Sequence, residues 1–134
     1  MQLDSSDRNT VFGAEKGILP NDMVFDKQGG LYLTDARVDS GNPTGGVYYL
    51  SPDQKQLTPL LTHLSGGNGI ALSLDGKTLY VIEFSAGVLH RLVLQDATHI
   101  QLFGETVAYR FNSPAPDSIK VDVISMLHYM VQVE

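Results

Sequence analysis

The sequence predicts an all-β chain that forms a piece of a β-propeller. Three observations carry this expectation: apolar runs of strand length set between Gly and Asp turns, a repeat of about 48 residues, and about four runs within each repeat. No stretch holds a 3.6-residue apolar period over helical length.

The elements follow in order. Residues 1–17 precede the first repeat and read as the remnant of a preceding blade or loop. The repeat opens at Asn21-Asp-Met-Val-Phe-Asp-Lys-Gln-Gly-Gly-Leu-Tyr-Leu-Thr-Asp35 and returns at Asn68-Gly-Ile-Ala-Leu-Ser-Leu-Asp-Gly-Lys-Thr-Leu-Tyr-Val-Ile-Glu83. Both copies have a polar opening residue, an apolar run, a Gly turn, then Leu-Tyr and a second apolar run. The turns Asp26 to Gly30 and Asp75 to Lys77 contain the Gly residues that tight hairpins favour. Third and fourth strands are expected at Gly46–Leu50 and Gln56–Leu61, and at Gly87–Leu94 and His99–Phe103. A third copy starts at Pro116-Asp117-Ser118, which places a partial propeller over residues 18–122. Asn21 to Asn68 is 47 residues and Asn68 to Asp117 is 49. A β-sandwich with coincidental internal similarity is the competing fold. Two blades and the start of a third cannot close a ring, so their outer faces and edges are expected to be exposed and the chain weakly stable.

Composition narrows the function. A net charge of −6 argues against nucleic acid and anionic membrane as partners. The absence of cysteine excludes disulfides, thiolate zinc sites and cysteine nucleophiles. It fits a cytoplasmic location, and the first residues do not read as a signal peptide.

The first strand of a propeller blade lines the central channel, so residues at matched positions in successive blades point toward one axis. Asn21, Asn68 and Asp117 are matched in this way. Amide and carboxylate oxygens without His or Cys suit a hard cation, calcium first and magnesium second. Such an ion polarises a carbonyl, and a neighbouring carboxylate can act as general base on water. The plainer reading is that each Asn or Asp forms a turn by bonding its own backbone. Three in register weigh against it.

These residues resemble a known family. Pro20 to Asp35, Asn42-Pro-Thr-Gly-Gly-Val-Tyr-Tyr-Leu-Ser-Pro-Asp53, Asn68-Gly-Ile-Ala-Leu-Ser73, Leu89-His-Arg-Leu92 and Pro116-Asp-Ser118 are similar, in order and spacing, to the gluconolactonase/regucalcin-like (senescence marker protein) family, nearest its drug-responsive lactonase branch. The resemblance implies a fragment of a six-bladed β-propeller. It also implies lactone hydrolysis with a divalent ion, a small-molecule lactone as substrate, and Asp117 as both ion ligand and proton carrier. Asn68 becomes an ion ligand, Asn21 an ion or substrate contact, Asp22 a substrate contact, and Ser118 a ligand of a second, structural calcium. The family also takes a Glu ligand from an earlier blade. Only twenty residues precede Asn21, and Glu15 lies too near it to serve, so that ligand is expected to be missing.

Residues 123–134 depart from the pattern, because no turn leads into a second strand. With one choice of codons, a shifted frame restores a strand and a Gly-rich turn. Met130-Val131 forces a Gly in that frame whatever the codons. The tail is therefore read as a frameshift product.

Other candidates read as structural. His63, His90, His99 and His128 lack metal spacing, and His90 is expected to support its strand. The Gly pairs at 29, 45 and 66 lack the Lys-Ser/Thr of a phosphate loop. Competing functions are a non-catalytic propeller that binds a partner, a paraoxonase-like or strictosidine-synthase-like six-bladed esterase, and a gene remnant without function. The sequence sets no oligomeric state.

Overall fold

A computed structural model describes residues 17–37 and 45–111. Asp117, Ser118, the third repeat and the tail 123–134 lie outside the described residues, as does almost all of 1–17.

Eight strands form two four-stranded antiparallel sheets. The first holds β1 (Pro20–Phe25), β2 (Leu31–Asp35), β3 (Gly45–Leu50) and β4 (Leu57–Leu64), each paired with the next. The second holds β5 (Gly67–Leu72), β6 (Thr78–Glu83), β7 (Val88–Asp96) and β8 (His99–Arg110) in the same order. Each repeat is thus one four-stranded meander, as expected of a blade. The chain passes from outermost β4 directly to β5, which packs against β1 and β2 of the first sheet.

Alternation along the strands builds the core between the sheets. Tyr32, Val47 and Tyr49 of the first sheet meet Ile70, Leu72, Leu79, Val81, Leu92 and Leu94 of the second. The opposite faces carry their own clusters: Ile18, Leu31, Leu33 and Leu50 on the first sheet, and Ala71, Tyr80, Ile82 and Leu89 on the second. The Tyr32 and Tyr49 rings lie tilted, 4.7 Å apart. Their hydroxyls bond the Ala97 carbonyl at 2.8 Å and Asp26 Oδ2 at 2.5 Å. Burial, reinforced by the Asp26 charge, pushes both hydroxyls above the ordinary tyrosine range.

Two turns are built alike. Ser51 and Ser73 each donate to the Asp two residues on, at 2.6 Å, and that Asp accepts the amide of Lys55 or Lys77. The serine hydroxyl holds each aspartate below its usual carboxylate range. The fourth residue of both turns is left-handed, with φ 64° at Gln54 and 74° at Gly76. A side chain in that region carries a strain of about 1 kcal/mol. Gln54→Gly is therefore expected to raise stability by about 0.5 kcal/mol after the added freedom of the unfolded chain is deducted. Urea denaturation checks this, and a loss of stability would contradict it.

Three strands run past the ends expected from the sequence. β4 continues to Leu64, β7 to Asp96, and β8 seven residues past Phe103. In β8 the ladder steps from Leu94↔Ile100 to Leu92↔Glu105, so residues 101–104 together oppose Val93, with Leu102 and Phe103 exposed. Phe103 takes φ 59° there, next to Gly104, before the strand resumes. Phe-Gly reads as a strand end in the sequence, whereas here it is an interruption within one strand.

Candidate functional site

Asn21 and Asn68 lie inside the inner strands. Each is the second residue of its strand. Both sheets are irregular at this point. Pro20 pairs with Asp35 and Met23 with Leu33, so Asn21 and Asp22 together oppose Thr34. Gly67 pairs with Glu83 and Ile70 with Val81, so Asn68 and Gly69 together oppose Ile82. These are matched two-against-one bulges, a device that re-aims side chains and releases backbone groups from the ladder.

The released groups find side-chain partners at the junction of the sheets. Thr34, fully buried, accepts the Asp22 amide on Oγ1 at 3.1 Å. Its hydroxyl donates across the junction to the Asn68 carbonyl at 2.6 Å, much closer than the Asp22 carbonyl at 3.3 Å. The Asp22 carboxylate accepts the Met23 amide at 2.9 Å and, across the junction, the Ile70 amide at 3.2 Å. Asp22, expected at the substrate, thus also joins the two blades.

Gly67 lets the sheets approach. A Cβ there would lie 2.8 Å from the Asp35 carbonyl oxygen and 3.0 Å from that of Gly46. Main-chain atoms of the first sheet occupy the space a side chain would need.

A repeated acid closes each blade. Asp35 ends β2 and Glu83 ends β6, each opposite the residue before the Asn. Fully buried Asp35 accepts the amides of Leu19 and Arg37, each at 3.1 Å, and the Arg37 guanidinium at 2.6 and 2.8 Å. That hydrogen bond raises the pKa of Arg37. Glu83 accepts the Ser65 amide at 2.8 Å and pairs with His90 at 2.9 Å. His90 therefore supports its strand, in keeping with its sequence reading.

The sequence reading missed Thr34, Asp35 and Glu83 as functional supports. The acids had a signal, since both repeat segments end in one. Thr34 had none, because threonine is an ordinary strand former.

The donor chemistry can be compared with a cation's needs. Asn21 and Asn68 offer neutral, hard amide oxygens at matched positions on adjacent inner strands, which fits calcium or magnesium in kind. Two such donors are fewer than the six to eight oxygens calcium takes. Among the described residues no three His, Cys, Asp or Glu side chains converge to hold a metal. A cavity of about 550 Å³ opens at the other end of the strands, among the turns at Asp26, Asp75 and Asp96 and away from both asparagines. No helix among the described residues is long and apolar enough to cross a membrane.

Comparison with known proteins places this geometry. The profile of the family described as SMP-30/Gluconolactonase/LRE-like region matches residues 2–128. Lactonase drp35 of Staphylococcus aureus is 51% identical over 104 residues, 76% of this chain and 32% of its own length. Lactonase drp35 of Staphylococcus haemolyticus is 49% identical over the same span. The chain therefore covers about a third of these relatives, as two blades are a third of a six-bladed ring. A gluconolactonase of Xanthomonas campestris superposes with TM-score 0.64 at 24% identity, over 81% of this chain and 40% of its own. The calcium-binding protein regucalcin of Agrobacterium tumefaciens superposes with TM-score 0.54 at 23% identity, over 66% and 29%. The two meanders are adjacent blades of a β-propeller, and the chain belongs to the SMP-30/gluconolactonase/LRE-like family.

Proposed function

We propose that these blades contribute to the cation and substrate site of a divalent-metal-dependent lactone hydrolase, with calcium as the preferred ion and magnesium as the alternative. The observation that carries this reading is the pair of matched bulges that set Asn21 and Asn68 at equivalent points on adjacent inner strands. The lactonase relatives, half identical over 104 residues, support it.

In this reading Asn21, Asn68 and Asp117 hold the ion, and Ser118 holds a second, structural calcium. A bound divalent ion would supply Lewis-acid polarisation of the lactone carbonyl. Asn21 and Asp22 orient the ring. Asp117 takes a proton from the attacking water and returns it to the ring oxygen as the C–O bond breaks, giving the hydroxy acid. The site works on a neutral small molecule, with no nucleic acid or membrane partner, in the cytoplasm.

Grafting tests the proposal. Residues 18–122 replace their counterparts in the Staphylococcus aureus lactonase, and hydrolysis of a simple lactone is followed with and without a chelator. The graft is expected to hydrolyse lactone, to stop on chelation and recover with calcium, and to lose at least a hundredfold in kcat on Asp117→Ala. An Asp117→Ala graft with unchanged rate overturns the reading. A graft that binds lactone without turnover points to a binding module instead.

A further inference from the structure

We infer that Thr34 and Asp22 form a clamp that sets the position of Asn68 relative to Asn21, which makes Thr34 a positioning residue for the cation site; this rests on the reading of both asparagines as cation ligands. A ligand oxygen is useful only where the main chain holds it, and bulged main chain lacks the ladder that normally does so. Here two side chains take over that task. The Thr34 hydroxyl is anchored by the Asp22 amide at 3.1 Å and spends its single proton on the Asn68 carbonyl at 2.6 Å. Asp22 Oδ2 takes the Ile70 amide, on the far side of the same bulge, at 3.2 Å. The main chain of β5 is thus pinned on both sides of Asn68, and both pins originate beside Asn21.

The clamp is not a general requirement of the blade. The repeat aligns Thr34 with Ile82 and Asp22 with Gly69, because each pair occupies the same place in its bulge. Isoleucine and glycine can make neither bond. The second blade keeps its bulge and its sheet without them. The polar pair is therefore found at the junction that joins the two asparagines and is not repeated in the next copy.

The test uses the full 134-residue chain, with terbium(III) as a luminescent probe of a calcium site and amide hydrogen exchange read by NMR. Thr34→Val keeps the shape and removes the hydroxyl, and Thr34→Ser restores it. Thr34→Val is expected to weaken terbium binding about tenfold, as loss of an outer-shell partner does. It should also speed exchange at Ile70 at least tenfold in the metal-free chain. Thr34→Ser should recover most of both. Asn68→Ala separates the two ideas. If it leaves terbium binding unchanged, the ligand reading fails, and the metal-free exchange data still decide the clamp. If Asn68→Ala abolishes binding while Thr34→Val binds terbium like the wild type, the positioning role is overturned. A Thr34→Val chain with lower thermal stability but normal affinity and normal exchange at Ile70 has the same meaning.

Discussion

Replacing Asp35 with alanine is expected to destabilise the chain by about 3 kcal/mol, enough to unfold a marginal domain. The carboxylate is fully buried and receives four donors. Alanine leaves the Leu19 and Arg37 amides without that acceptor, and each partly buried amide so orphaned costs about 1 kcal/mol. It also takes the carboxylate from the Arg37 guanidinium, which is about one-third exposed and so partly rehydrates. The charge term is therefore the smaller share, and the loss of the acceptor for two backbone amides the larger. Asp35→Asn retains one acceptor oxygen and should lose roughly half as much. Urea unfolding of the three proteins measures this. A loss below about 1 kcal/mol for alanine would show that water satisfies the entry segment and that the acid is incidental.

The role of Asp35 also shows what the sequence could and could not convey. The four strands of each blade were readable because Val, Leu and Tyr alternate between Gly-Asp turns, and one sheet face is buried against its neighbour. The equivalence of Asn21 and Asn68 was readable from the likeness of the two segments they open and from their spacing, since a propeller repeats its geometry with its sequence. The bulges around them were not, because a bulge is a register difference between two strands and neither strand records it alone. Thr34 was silent for the same reason: its task is defined by the Asn68 carbonyl, 34 positions away. The length of β8 was misjudged because Phe103-Gly104 breaks the local pattern while the pairing with β7 continues beyond it. The expected ligand Asp117 and its neighbour Ser118 lie outside the described residues, so their part remains a reading of the sequence.

Gly67→Ala is expected to produce the second large effect, a loss of about 2–3 kcal/mol accompanied by weaker cation binding. The clash is not with a side chain that could rotate aside. The new methyl would meet the Asp35 and Gly46 carbonyl oxygens at 2.8 and 3.0 Å, and both belong to paired strands of the first blade. Relief requires the inner ends of the blades to move apart by several tenths of an ångström. Asn68 is the next residue, and the Thr34 bond to its carbonyl is already short at 2.6 Å, so the same movement stretches the clamp. Stability and affinity should therefore fall together at Gly67, whereas Asp35→Ala acts mainly on stability. The two sites share one contact, the Asp35 main chain. Once Asp35→Ala has loosened that segment, the added methyl meets a more yielding neighbour, and the double variant should lose less than the sum of the singles. Calorimetric unfolding and terbium titration of the single and double variants measure both quantities. Strict additivity would mean that the buried acid and the close-packed glycine support the junction independently, and that the inner end of the first blade is not one mechanical unit.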